Sequence, residues 1–436
     1  MARFLMATYP SPGHISPAEA VARELTERGH DVRWYTGRRF AERVARSGAR
    51  FCPMPKNLDW DYTHLNDAFP GRSKLKGLKQ GQFDIAEIFV RPLREHLPAL
   101  KALVVEEPAD VFVSHTIFYG GGWLHEMGGP PNATLGDTCL TYPSRDTAPS
   151  GMGLAPRGGW VGHLRNKSLQ AMGRATFFPP VAKAAREVRN DLGLPPVPIR
   201  DLEFGLSRYL HIQFCPSGFE YPRSDLPPYV HFVGAPEASM PVEFDPPSWW
   251  PRLLESKRVV LVTQGTIATD PAELLAPSLH GLAASDVFVV ATTGGDDPAV
   301  LGDALPNAVV ERFVPYAALL PHVDVMVSNG GFGSVQLAIA HGVPMVVAGT
   351  SEDKKEVTAH VAWSGVGMNL RTSRPSPTAV AVGVARVLSE GKFRERTLAL
   401  KSEMGDTNAA QRASDLLEAL AVKAATGILG DSKTSA

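Results

Sequence analysis

The stretch 325–348, VMVSNGGFGSVQLAIAHGVPMVVA, decides the fold. Val325–Ser328 is a short apolar run of strand length, and a Gly-rich turn follows it. A helix then runs to about Gly342, where a left-handed residue belongs, and Met345–Ala348 is a second apolar run. This is a βαβ unit, and such units build parallel sheets covered by helices.

Working outward, the same grammar recurs. Arg3–Thr8 is an apolar strand, Tyr9–Gly13 is a run of breakers, and Ser16-Pro17-Ala18-Glu19 has the form of a capping box with Pro at the first helical position. Ala18, Val21, Ala22 and Leu25 keep helical spacing, Gly29 closes the helix, and Val32–Thr36 starts the next strand. Val259–Thr263 and Val287–Ala291 read as strands, with Asp270–Glu273 as a second capping box between them. Ser376-Pro377 is expected to cap a helix through about Ser389, and Thr407–Leu420 reads as helix. The stretch 234–250, GAPEASMPVEFDPPSWW, has neither helical nor strand periodicity and reads as a linker. The fold class is α/β, with two doubly wound domains facing one another. The aromatic- and Gly/Pro-rich stretches Leu58–Phe89 and Thr141–Phe178 read as irregular loops on that scaffold.

Composition narrows the function. Apolar residues make up 44% of the 436, enough for real cores, and a net charge of −1 argues against binding nucleic acid or anionic membrane by bulk charge. Three cysteines at 52, 139 and 215 make no disulfide framework, so a reducing, cytoplasmic location is expected. The N-terminal apolar run is too short for a signal peptide, and no stretch suits a membrane span. No metal site is expected, because no His, Cys or carboxylate set has ligand spacing.

Four places could carry chemistry. His14 follows the first strand just ahead of a helix start, whose positive end favours a neutral imidazole, but a loop histidine bonded to a backbone carbonyl fits equally. Asn329-Gly330-Gly331-Phe332-Gly333-Ser334 opens a helix after a strand, so its N–H groups suit a phosphate; Gln336 at the third-glycine position argues against a dinucleotide site. Gly265-Thr266 repeats the pattern after Val259–Thr263. Ser351-Glu352-Asp353-Lys354 could accept from sugar hydroxyls, but on the residues alone an acidic first turn complementing the helix dipole is the better reading.

Together these residues resemble the family 1, UDP-glycosyltransferase-like enzymes of the GT-B fold, in the actinobacterial natural-product branch. The resemblance spans nearly the whole chain and is strongest over 11–32 and 312–370. It implies a catalytic base at His14. It implies nucleotide-sugar contacts at Gly265, Thr266, Phe313, Val314, Asn329, Gly330, Gly331, Gly333, Ser334, Asp353 and Lys354. It implies no cofactor beyond the nucleotide-diphosphate sugar, UDP- or dTDP-linked, and a small hydrophobic acceptor as the second partner. Its division would be an acceptor domain over 1–235, a linker over 236–251, a donor domain over 252–405, a helix over 406–423 packed back on the first domain, and a flexible tail over 424–436. The chain departs from the pattern at Asn329 (usually His), Lys354 (usually Gln) and Val357 (usually Asn). The Asp that orients the base is expected after Val111–Val113, where Ser114-His115 stands; His115 and Asp137 are the candidate substitutes. An epimerase or hydrolase on the same fold, or a non-catalytic sugar-nucleotide-binding partner, remain the alternatives.

Overall fold

The computed structural model describes residues 1–436 except 63, 237–243, 266–269, 302–304, 406–407 and 430–436. Part of the expected linker, Thr266 and most of the expected tail therefore lie outside the described residues.

Two parallel sheets organise the chain. The first holds β1 (Arg3–Ala7), β2 (Asp31–Thr36), β3 (Arg50–Pro53), β4 (Val111–His115), β5 (Asn132–Gly136), β6 (Leu210–Gln213) and β7 (Val230–Phe232), in the order β3-β2-β1-β4-β5-β6-β7. The second holds β8 (Val259–Thr263), β9 (Phe288–Thr292), β10 (Ala308–Glu311), β11 (Val325–Ser328), β12 (Met345–Val347) and β13 (Gly367–Asn369), in the order β10-β9-β8-β11-β12-β13. The inner strands β1, β8 and β11 are nearly continuous apolar runs, and β4 opens with one before Ser114-His115, because helices cover both faces, as a parallel sheet requires.

The helix α1 (Pro12–Glu27) starts earlier than the capping box indicated. The proline that occupies the first turn is Pro12, where a missing N–H costs nothing, and Ser11 is the N-cap residue. Ser16 and Glu19 therefore serve other ends. The Ser16 hydroxyl donates to the Pro12 carbonyl (3.0 Å), and the Glu19 carboxylate accepts from the Arg43 Nε (2.8 Å). Pro17 stands inside the helix. The consequence for function is that His14 lies within the first helical turn rather than in a loop before it.

The stretch 141–178 also corrects the sequence reading. It contains α2 (Gly159–Thr176), an 18-residue helix. Its periodicity was masked because only a narrow face, Gly162 and Asn166, is buried. Of the later helices, α3 (Phe332–His341) and α4 (Lys354–Ser364) both end on a left-handed glycine, Gly342 and Gly365. Ser376 caps α5 (Pro377–Ser389) through a bond from the Ala379 N–H (3.2 Å). The last helix, α6 (Ala409–Ala425), returns to the first sheet. Its Ala409, Ala413, Leu417 and Leu420 join Ile15, Ala18, Val21 and Ala22 of α1 in one apolar cluster. Arg28 reaches Asp415 (2.6 Å) and His30 Nε2 reaches Glu418 (2.7 Å) along the same seam.

Leu417 is fully buried in that seam. Leu417→Ala is expected to cost ~2–5 kcal/mol by lost transfer energy plus a cavity. Urea denaturation followed through signals of the first sheet checks this.

Candidate active site

In an open parallel sheet, ligands bind beyond the carboxyl ends of the strands, at the point where strand order reverses. In the first sheet that point lies between β1 and β4; in the second it lies between β8 and β11. His14, His115, Asp137, Gly265 and Asn329–Ser334 stand at these two places, Phe313 and Asp353-Lys354 follow the carboxyl ends of β10 and β12, and the two sides meet. Thr138, just past β5, donates its hydroxyl to Asp353 Oδ2 at the start of α4 (2.7 Å). The Gly151 and Gly153 N–H groups both donate to Glu356 Oε2 of α4 (2.8 Å each).

At the first switch point, His14 Nδ1 lies 2.5 Å from Asp137 Oδ2. His115 stacks on the His14 ring with centroids 4.1 Å apart, and its Nδ1 is 3.5 Å from the same carboxylate oxygen. The tautomer of His115 follows from its other nitrogen. The Tyr9 N–H donates to His115 Nε2 (3.1 Å), so Nε2 is an acceptor and a neutral ring carries its proton on Nδ1, facing Asp137. Burial pushes the His115 pKa down to about 4, and the neighbouring His14 adds to the effect. Burial alone would raise the Asp137 pKa, but His14 and His115 hold it well below the ordinary carboxylate range. Asp137 is thus an ionised carboxylate whose side chain is 3% exposed. Of the two candidate partners, it is Asp137 that bonds to His14, with His115 behind it. The His14 side chain is 22% exposed, and its Nε2 has no hydrogen-bond partner among the described residues. A carboxylate-oriented imidazole with a free nitrogen is the geometry of a general base.

At the second switch point two loops touch. A Cβ on Gly265 (φ +75°) would lie 3.8 Å from Asn329 Nδ2. Asn329 is buried, and one of its amide N–H groups donates to the Gln264 carbonyl while its Oδ1 accepts from the Gly331 N–H (3.3 Å). Its side chain therefore knits the loops, where the sequence reading had it donating outward. Gly330 needs its positive φ of +85° to turn the chain into α3, and Gly331 caps the helix without any side-chain bond. The first-turn N–H groups of α3 are left for a ligand. Gly333 faces open space, and the Ser334 hydroxyl donates to the Gly331 carbonyl (2.9 Å).

Phe313 is 64% exposed, with its ring 3.3 Å from where a Cβ would stand on Gly295. Val314 is buried in the core, so only its backbone can face the site. Burial pushes the Asp353 pKa up. Lys354 is buried and bonds Glu352, and it lines a small pocket together with Asn329, Gln264 and Ser351. Sequence reasoning missed Tyr9, Thr138 and Glu356. Each acts through a contact more than 100 residues away, and no local pattern announces that.

Two sets of potential metal ligands, His14–His115–Asp137 and Cys139–Glu220–His360, also come together from distant positions that spacing rules do not link. Both are already internally bonded. Glu220 accepts from the Leu140 N–H (2.8 Å) and from Arg223 (3.1 Å), and lies 3.3 Å from His360 Nε2. Burial opposes the Glu220 charge, but His360, Arg223 and that N–H bring its pKa down to about 2.

Two doubly wound domains, one carrying an oriented imidazole and the other an anion-type loop across a shared cleft, define a two-domain group-transfer enzyme of the GT-B architecture. Comparison with known proteins makes this particular. The glycosyltransferase family 28 N-terminal domain matches residues 4–104, and the erythromycin biosynthesis protein CIII-like C-terminal domain matches 277–420. The chain is 42% identical to 4'-demethylrebeccamycin synthase of Lentzea aerocolonigenes, over 96% of this chain and 99% of that one. It is 32% identical to UDP-glycosyltransferase 2 of Phaeomoniella chlamydospora, over 96% and 95%. In fold it resembles the crystal structure of the kitacinnamycin glycosyltransferase (TM-score 0.73, 23% identity, 96% and 100% covered). It also resembles VinC in complex with dTDP (TM-score 0.69, 19% identity, 97% and 100% covered). The chain belongs to the GT-B glycosyltransferases of natural-product biosynthesis. No helix among the described residues is long and apolar enough to cross a membrane.

Burial sets a pH limit on the stability of the first sheet and its helices. Burial pushes the pKa of His96 down to about 3 and that of His211, like His115, to about 4. An unfolded chain protonates these three below about pH 6.5, while the folded chain keeps them neutral. Their contribution to stability is therefore full above that value and falls as pH drops toward about 4, by up to ~4 kcal/mol per pH unit for the three together. Urea midpoints measured near neutrality and near pH 5 are expected to show the loss.

Proposed function

We propose that the protein moves a sugar from a pyrimidine nucleoside diphosphate sugar to a hydroxyl of a small hydrophobic acceptor, inverting the anomeric carbon, with His14 as general base. The observation that carries this is the 2.5 Å contact between His14 Nδ1 and a buried, ionised Asp137. His14 Nε2 takes the acceptor's hydroxyl proton as the oxygen attacks the anomeric carbon. The bond from that carbon to the phosphate oxygen breaks, and the nucleoside diphosphate departs with the electron pair. Asp137 stabilises the imidazolium that forms. The sequence argument for a non-catalytic partner was the missing carboxylate beyond β4, and Asp137 supplies one from β5.

The donor reading rests on the second switch point. The first-turn N–H groups of α3 face the developing diphosphate charge, preorganised and without reorganisation cost. The loop itself is neutral, and Lys354, the one basic side chain lining the adjoining pocket among the described residues, supplies a counter-charge on exchanging its Glu352 partner for phosphate. Asp353 then accepts from sugar hydroxyls beside Thr138. For the pyrimidine, the relatives' own names include UDP-linked enzymes, and one structural neighbour was solved with dTDP.

His14→Ala is expected to lower turnover ~10²–10⁴-fold while leaving donor affinity nearly unchanged. Asp137→Asn should lower turnover in the same direction and shift the acidic limb of the pH–rate profile. Turnover retained in His14→Ala would move the base elsewhere. Product anomeric configuration, read by NMR, tests inversion directly.

Phe313 offers its exposed ring to the donor's base. Phe313→Ala should weaken nucleotide diphosphate binding by ~0.5–1.5 kcal/mol beyond simple area loss. The thermal midpoint should not move, because the ring supports little of the core. Isothermal titration with UDP and dTDP reads both affinity and preference.

A further inference from the structure

A net charge of −1 conceals an uneven surface. No Asp or Glu occurs anywhere from 147 to 186, while six basic residues do: Arg157, Arg165, Lys167, Arg174, Lys183 and Arg186. The helix α2 runs through the middle of this stretch. It turns Gly162 and Asn166 inward, and at 100° per residue the opposite side carries Trp160, Leu164, Ala171 and Ala175, with Val161 and Met172 on its flank. These are not packed away. Trp160 is 76% exposed, Leu164 57%, Met172 48% and the neighbouring Val161 41%. Lys167 and Arg174 stand along one edge of that stripe, Arg174 4.0 Å from Asp201, and His163 beside them is bonded to Asp146 (3.0 Å). An exposed apolar face with a Trp, edged by basic residues on a helix without acidic ones, is the composition of a helix that lies in a membrane interface.

We infer that the exposed face of α2 docks the protein onto an anionic lipid bilayer. Charge complementarity selects this occupant. A second copy seated face to face and antiparallel would bring the two Lys167 and Arg174 edges together, with only Asp201 near Arg174 (4.0 Å) to offset them. A bilayer with acidic headgroups meets the edge with negative charge and the stripe with hydrocarbon. The position suits the chemistry too. The loop entering α2 is the one whose Gly151 and Gly153 N–H groups hold Glu356 at the cleft, so docking brings the cleft mouth beside the phase into which hydrophobic acceptors partition.

The test uses the full chain in sedimentation with vesicles of phosphatidylcholine alone and of equal parts phosphatidylcholine and phosphatidylglycerol. Binding is expected to the anionic vesicles only, weakening as salt is added. Trp160→Glu and Leu164→Glu should each abolish it, and Lys167→Gln should weaken it about fivefold. Circular dichroism and the thermal midpoint should stay unchanged in all three, since these side chains are exposed. No sedimentation with anionic vesicles, or equal sedimentation of Trp160→Glu, overturns the inference. So does a dimer in analytical ultracentrifugation that Trp160→Glu converts to monomer, which would assign the face to a second copy.

Discussion

A carboxylate kept charged out of water is the constraint around which this molecule is arranged. Asp137 has almost no solvent, and a buried charge persists only where partners compensate its desolvation. Here the compensation is His14 at 2.5 Å and His115 behind it. Both depend on backbone geometry. The helix α1 must begin at Pro12 to bring His14 to the end of β1, and the Tyr9 N–H must meet His115 Nε2 to turn its other nitrogen toward Asp137. Each requirement is met at the crevice where the strand order reverses, the one place where β1 and β4 lie side by side with their carboxyl ends diverging into loops.

The second constraint is between sheets. The contacts that join the halves are of two kinds: polar ones, Thr138 to Asp353, the Gly151 and Gly153 N–H groups to Glu356, and Glu220 to His360, and an apolar cluster in which Cys139, Cys215 and Phe219 pack with Phe332, Val357 and Val361. Around the Glu220–His360 pair, Tyr221 stacks on His360 with centroids 3.6 Å apart and meets Trp363 edge-on. The apolar seam between α1 and α6 fixes the last helix to the first sheet.

Much of this was legible in the sequence, and the reasons it stopped being legible are physical. The strands Val259–Thr263 and Val325–Ser328 were readable to the residue, because central parallel strands are unbroken apolar runs between turns. The Ser376 cap was readable because capping is local. The capping box at Ser16 misled because two prolines compete for the helix start, and the sequence does not say which one keeps a dispensable N–H. The helix α2 was hidden because apolar periodicity reports burial, and its apolar residues face outward. The site residues divided the same way. Those on contiguous loops, from Asn329 to Ser334, declared themselves as a cluster, whereas Asp137, Thr138 and Tyr9 acquire their meaning only through pairings across the sheet or the cleft.

Register explains how a carboxylate can serve from the wrong strand. Ser114 pairs with Thr134 and His115 with Leu135, so β5 runs level with β4 at its carboxyl end. Adjacent strands are ~4.8 Å apart, and two further residues carry the chain ~7 Å beyond the pair. Asp137, two residues after Leu135, therefore rises above His115 instead of beside it. From there it reaches over to His14, which the first turn of α1 presents from the far side of β4. A short side chain at 115 would leave that path open beneath the carboxylate. The imidazole fills it, stacks on His14 and points its Nδ1 at the same oxygen. Displacing the carboxylate by one strand thus calls for a flat, neutral, hydrogen-bonding residue at the vacated place, and His115 is one whose tautomer the Tyr9 backbone has already fixed.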